Sequence, residues 1–360
     1  MLRHLNIATL AASLWLAAAL PACGAAISPD DTARFLAGMP LPATSPLLLL
    51  TDNPSWQRHA RFFDAAFGQL ERGQLAGIRS WAAVNLAAPK PTMFYMFSGP
   101  DLLYADAFYS KATTYVLSAL EPVGAVPDLT RLPSGGVGPP LYYVERSLST
   151  ILSFSFFITK MMKTDLRAGE LNGTLPLLYV FLARSGKTIR DVSLIALDET
   201  GAMLAPTAAP RNATQGAKIT FAGSDGEEKT LYYFSTDLSN GGVKSSGFLQ
   251  FCQTLAPGNS LVKSASYLMH SPHFSTVRNF LLANSATVIQ DDSGVPLASF
   301  DPKEWRLFPF GRYLGPIDKF PAMYQPGYAK LFENSQPMNF GIGYRWRPNE
   351  SNLLLAVKLP

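Results

Sequence analysis

Hydrophobic residues along this chain fall into runs of three kinds, and each kind predicts a different element. Between Asn53 and Leu86, Trp56, Phe62, Phe63, Phe67 and Leu70 recur at helical spacing and predict helix that ends before "APKP". "SPDDTARFLAGM" predicts a shorter helix, with Ser28 as N-cap, Pro29 in the first position and acids in the first turn. "GMPLPATSPLLLL" then reads as a Pro-rich connector into a short apolar strand or turn. "TMFYMF" and "TTYVLSAL" are short aromatic or β-branched runs suited to buried strands. "DLLYADAFYS" between them suits a short helix, so the order strand, helix, strand predicts a parallel pair.

From Pro139 to Gly186 the pattern is helical, in "LYYVERSLSTILSFSFFITKMM" and "GTLPLLYVFLARSG". Strands return with "TIRDVSLIAL", "AKITFAG" and "KTLYYFSTDL". The Asp-Gly of "AGSDGEE" predicts a hairpin between the last two. "SPHFSTVRNFLLAN" predicts a helix entered at Ser271 with Pro272 first, followed by the strand "SATVIQ", the turn "DDSG" and an extended "VPLASF". "NFGIGYRW" and "NLLLAVKL" read as a closing hairpin that turns at Pro348 to Ser351. The fold class expected is α/β or α+β: a mixed sheet with flanking helices, a helical N-terminal part and a C-terminal β-hairpin.

The first residues change the picture most. Arg3 and His4 precede an apolar run from Ile7 to Leu20, the pattern of a secretory signal and too short for a comfortable bilayer span. "LPAC" resembles the lipobox of bacterial lipoproteins, with Cys23 as the lipidated residue, although Pro21 departs from that pattern; ordinary cleavage near Ala22 to Ala26 competes with it. Cys252 is the other cysteine, and one lipidated Cys with one buried Cys is a simpler account than a disulfide to a frayed terminus. The expected organisation is a signal at 1–22, a linker with a short helix at 23–52 and a single mixed α/β domain at 53–360. The expected location is the periplasm or an outer-membrane anchor, with the membrane met through the N-terminal lipid.

Composition excludes some classes. Charged residues make up 16% and aromatics 12%, which argues for a packed core and against disorder. The formal charge of +4 becomes +3 once Arg3 leaves with the signal, and no run of five Lys or Arg occurs, so nucleic acid is not an expected partner.

Candidate chemistry gathers late in the chain. Of four histidines, His270 and His273 lie in "KSASYLMHSPHF", and Asp291, Asp292 and Ser293 follow in "QDDSG". Two imidazoles and a carboxylate are a sufficient ligand set for a catalytic zinc. The same residues allow a serine hydrolase, with Ser264, Ser266 or Ser293 as nucleophile, a His as base and an Asp to orient it. The competing expectation is that "DDSG" is a plain solvent turn and that Pro272 keeps the two imidazoles apart. The cofactor, if any, stays open. Loops at the carboxyl ends of α/β strands are where sites form, so a cleft near Lys263 to Gly294 is the place to look.

Other motifs fail for lack of context. "ARSGKT" has the end of a phosphate loop, but Phe181 stands where its first glycine belongs. "SLVK" (Ser260 to Lys263) matches Ser-x-x-Lys, with no partner motifs downstream. His59, between Arg58 and Arg61, reads as a solvated or partly buried side chain, and the aromatic clusters read as core.

At "FSGPDLLYADAFYSKATTYVLSALEPVG", "KSASYLMH", "QDDSGVP", "FGRYLGPIDKF" and "FGIGYRW" the chain resembles a group of exported bacterial proteins of hypothetical function. The likeness runs from about Phe94 to Lys358. It implies export and a shared fold, and brings no reaction, cofactor or catalytic residue. The sequence thus points to an envelope protein that binds an unidentified ligand or partner, with a periplasmic metal- or serine-dependent hydrolase as the alternative and enzyme status undecided.

Overall fold

A computed structural model describes residues 26–86, 88–131, 136–157 and 171–360. The signal segment and Cys23 lie outside them, as does the end of the helix expected beyond Phe157. The strands are β1 (Thr92–Met96), β2 (Thr114–Ala119), β3 (Thr188–Leu197), β4 (Met203–Leu204), β5 (Thr214–Ala222), β6 (Glu228–Ser235), β7 (Gly258–Val262), β8 (Ser285–Gln290), β9 (Trp305–Gly311) and β10 (Asn352–Lys358). They form one ten-stranded mixed sheet in the order β4-β3-β5-β6-β2-β1-β7-β8-β10-β9, which makes the fold of the α/β or α+β class.

The middle of the sheet is parallel. β2 pairs with β6, β1 with β2, β1 with β7 and β7 with β8, all in parallel. β1, β2 and β7, at the centre, are buried on both faces, as central parallel strands are. Alternate residues of the parallel strands feed two separate cores. Met93, Tyr95, Tyr115, Leu117, Leu231, Tyr233, Leu261 and Ile289 belong to one. Phe94, Met96, Val116, Phe234, Val262 and Val288 belong to the other.

The first core is covered by helices from the N-terminal half. α1 (Pro29–Leu36) starts at Ser28, whose Oγ accepts from the Asp31 amide at 2.9 Å, as its sequence predicts. Its Phe35 and Leu36 are fully buried, so this helix of the expected linker is part of the core. α2 (Pro54–Leu70) and α3 (Ala76–Asn85) are joined by a π-helical turn at Glu71–Leu75. Trp56, Phe63, Phe67 and Leu70 form the buried stripe, whereas Phe62 is 43% exposed. α4 (Leu102–Phe108), α5 (Gly138–Phe154) and α6 (Leu175–Arg184) complete this layer. The second core is covered by α7 (Asn240–Val243), α8 (Phe248–Thr254), α9 (Ser275–Asn284) and α10 (Pro326–Phe332).

Three expectations need correction. The closing strand β10 pairs antiparallel with β8 and β9, while residues 339–346 hold only a bridge between Ile342 and Arg345, so no hairpin turns at Pro348 to Ser351. Strand pairing at this distance is set by the sheet, which periodicity cannot reveal. "VPLASF" turns into a 3-10 helix at Leu297–Ser299 after Pro296, and the next strand is β9, which pairs with β10 and which Pro309 hid. His59 is fully buried, with its ring nitrogens 2.8 Å from Glu145 Oε1 and 2.8 Å from the Leu36 carbonyl. Its Arg neighbours lie on the outer side of α2, so adjacency in sequence misled.

Candidate ligand cleft

The parallel registers bring Met96, Ser118, Phe234, Val262 and Gln290 to one level, so the carboxyl ends of β1, β2, β6, β7 and β8 open on the same side. From β1 the chain moves to β2 on one flank, and from β7 it moves to β8 on the other. The gap beyond β1 and β7 is therefore a topological switch point, where open α/β sheets form crevices. A cleft of about 520 Å³ lies there, within the range of small-molecule sites.

The loop after β1 contributes Phe97, Ser98, Gly99 and Asp101, and the loop after β7 contributes Lys263 to Ser266 and Leu268. Leu120 and Glu121 follow β2, and Thr236 to Leu238 follow β6. Phe156 and Phe157 after α5, Phe274, Phe320 and Tyr344 close an aromatic wall.

Its floor is ionic. Lys263 Nζ and Asp101 Oδ2 stand 2.8 Å apart, with both side chains 1% exposed. Tyr95 donates its phenol to the same carboxylate oxygen at 2.9 Å, and the Tyr104 amide donates to the other. The Lys263 ammonium also donates to the Ser155 carbonyl and lies 3.9 Å from the centre of the Tyr104 ring. Burial pushes the Lys263 amine below its usual range, against the opposing pull of Asp101 and Asp291. Burial, then the Asp101 charge, pushes the Tyr95 phenol well up.

Backbone strain gathers at the same place. Among the described residues, five non-glycine residues have left-handed φ: Phe97, Ser155, Ser264, Ser266 and Tyr267. Phe97, Ser264 and Ser266 line the cleft, Ser155 holds Lys263, and Tyr267 lies between the lining residues Ser266 and Leu268. Such conformations cost of order 1–3 kcal/mol each and persist where surrounding contacts over-determine them, commonly at functional sites.

Asp291, Asp292 and Ser293 sit at the carboxyl end of β8 and are 1%, 3% and 0% exposed, so a plain solvent turn does not form. The loop folds inward because donors meet its carboxylates. Asp291 accepts from the amides of Ser264, Ser293 and Tyr344, and from Ser293 Oγ at 2.6 Å. Ser293 Oγ in turn accepts from the Ala265 amide at 2.8 Å. Asp292 accepts from the Tyr267 phenol at 2.6 Å and from Asn352 Nδ2 at 3.0 Å. Burial and the neighbouring Asp292 push Asp291 up to about 7, with its hydrogen bonds opposing. Burial raises Asp292 too. These carboxylates pin the loop that carries Lys263 to Tyr267; neither lines the cleft.

The histidines stand apart from this knot. The half-buried His270 packs its ring against Tyr267 at 5.4 Å, and burial lowers its pKa. His273 is exposed in a 3-10 turn (Pro272–Phe274), whose cap is Ser271 Oγ accepting from the His273 amide. Among the described residues no hydrogen bond joins either imidazole to Asp291, Asp292 or a serine hydroxyl, and no group of three or more His, Cys, Asp or Glu is placed to hold a metal.

Sequence reasoning located the neighbourhood through Lys263 and missed Asp101, Tyr95 and the aromatic wall. "SGPD" was legible as a turn, and the only hint of more was an acid at a helix start directly after an apolar strand. Compared with known proteins, the chain matches no family model, no curated protein and no solved structure.

Proposed function

We propose that this chain is an exported cell-envelope protein, lipid-anchored at Cys23, that holds a small, largely apolar molecule in the switch-point cleft. The observation that carries the reading is the convergence of the left-handed residues and the buried Lys263–Asp101 pair on one aromatic-walled cavity. A protein that needed only a stable core would gain nothing from placing this strain around an opening. Export and the anchor rest on the segment from Arg3 to Cys23. The hydrolase alternative has less behind it, because among the described residues neither His270 nor His273 is hydrogen-bonded to Asp291, Asp292 or a serine hydroxyl.

Titration of the purified protein with Nile red, a neutral dye that brightens in apolar surroundings, tests the binding reading. One saturable site, lost when the half-exposed mouth residue is changed by Leu120→Glu, is expected. Absence of saturable binding, or equal binding by the variant, overturns it. Palmitate labelling in a bacterial host, present in the native chain and absent from Cys23→Ala, tests the anchor.

A further inference from the structure

We propose that Lys263 binds its ligand covalently, as an imine formed with the carbonyl carbon of an apolar aldehyde or ketone seated in the cleft. This rests on the ligand-binding reading of the cavity and names the chemistry of its occupant.

The geometry supplies each requirement. Lys263 lies at the carboxyl end of a central strand and is the buried amine that lines the cavity. Two other buried lysines make the contrast. Lys187 is paired with Asp106 at 3.0 Å, and Lys229 donates to the Ser110 carbonyl at 2.6 Å. Neither lines the cleft. Phe97, Phe156, Phe157, Phe274 and Phe320 offer flat apolar faces to a conjugated or aromatic carbonyl compound. Among the described residues the charges on the floor already answer one another, so a strongly charged ligand finds no free counter-ion among them. Lys263 is matched by Asp101, Glu121 is buried and engaged, and the remaining charges, Asp237 and Lys319, are exposed at the rim.

The steps balance within the pair. The ammonium passes a proton to the Asp101 carboxylate across 2.8 Å. The amine lone pair then forms the C–N bond as the carbonyl π electrons move to oxygen, and a proton shifts from nitrogen to that oxygen. Asp101 returns its proton to the carbinolamine hydroxyl, the C–O bond breaks and water leaves. The product is a protonated imine facing the Asp101 carboxylate. The site begins and ends with one positive and one negative charge, so no new charge is buried. Burial of Lys263 favours the neutral amine that the attack needs.

The test treats the purified protein with 2-naphthaldehyde and cyanoborohydride, then maps the reduced adduct by peptide mass spectrometry. Binding of 2-naphthylmethanol, which has no carbonyl, is followed in parallel by its fluorescence. The expected result is one adduct per chain at Lys263, none at Lys187 or Lys229, and slower formation by at least about tenfold in Asp101→Asn. Label confined to exposed lysines such as Lys111 and Lys303, or no label, while the alcohol binds in the cleft, overturns the imine and leaves the binding reading standing. Failure of both the adduct and the alcohol overturns both. Because the adduct is mapped on the native chain, its position does not depend on any variant folding.

Discussion

Lys263, directly after β7, and Asp101, in the loop after the neighbouring parallel β1, stand 2.8 Å apart, each the other's principal partner and each 1% exposed. Desolvating both groups is costly, and the gain on pairing offsets that cost only because Tyr95, the Tyr104 amide and the Ser155 carbonyl complete the set. Removing one member should therefore hurt more than removing both. Lys263→Met is expected to lower unfolding stability by about 3–5 kcal/mol, and Lys263→Met with Asp101→Leu by clearly less. Urea denaturation of the three chains measures it, and equal losses would show the pair is not coupled.

Stability should fall as pH rises towards neutrality. Asp291 titrates at about 7 when folded, above the usual carboxylate value. Between about pH 4 and 7 the folded chain keeps a proton that the unfolded chain has released, so stability declines through that window and levels off above it. The slope is at most about 1.4 kcal/mol per pH unit for each proton. Asp198 and Asp225, whose carboxyls are held low first by Thr200 and by the Glu227 amide respectively, act in the opposite direction below that window, and His270, lowered by burial, acts in the opposite direction inside it and offsets part of the decline. Urea midpoints from pH 4.5 to 8 should show the decline, and Asp291→Asn should flatten it.

Gly343 has φ of 71°, and a Cβ there would overlap the Asp291 carboxylate. Gly343→Ala is expected to cost about 2–4 kcal/mol, from the left-handed backbone and the displaced carboxylate together. The same variant should weaken Nile red binding, because Asp291 anchors the loop from Ser264 to Tyr267. A change in stability without a change in binding would separate that anchor from the cleft.

His59 joins α1, α2 and α5 through its two ring nitrogens and packs against Phe63 with ring centroids 4.4 Å apart. His59→Ala should destabilise by about 2–4 kcal/mol, through a cavity and an unanswered Leu36 carbonyl. Nile red affinity should be unaffected, since the residue does not line the cleft.

The sequence made the local elements legible and hid the distant ones. Ser28, Pro29 and the Asp-Gly at Asp225 and Gly226 carry their structural meaning within a few residues, and the helix α1 and the β5–β6 hairpin form as they require. The parallel pairing of β1 with β2 was legible too, from strand, helix and strand in order. The neighbours of β7 and β10 were not, because a strand's apolar pattern says that it is buried and not beside what. The site suffered most. Asp101 and Lys263 meet only because β1 and β7 are adjacent, and that adjacency is a property of the whole sheet. "QDDSG" looked like a turn because Asp, Ser and Gly favour turns; it is buried because donors from Ser264, Tyr344, Tyr267 and Asn352 were invisible in one dimension.

The order of the sheet places β4 and β9 at its two margins. A margin with free N–H and C=O groups is a template for another chain's strand, and proteins block it with short strands, proline, charge or cover. β4 is two residues long, and the stretch of β3 it leaves bare carries Arg190, Asp191 and a register shift. β9 has Pro309, whose carbonyl accepts from Gln336 at 2.9 Å, and Gln336 in turn accepts from Gly311 at 2.8 Å. Ten strands of apolar sheet are thus closed to self-templated growth on both sides. A high local concentration of the chain would not turn this sheet into a seed for fibrils.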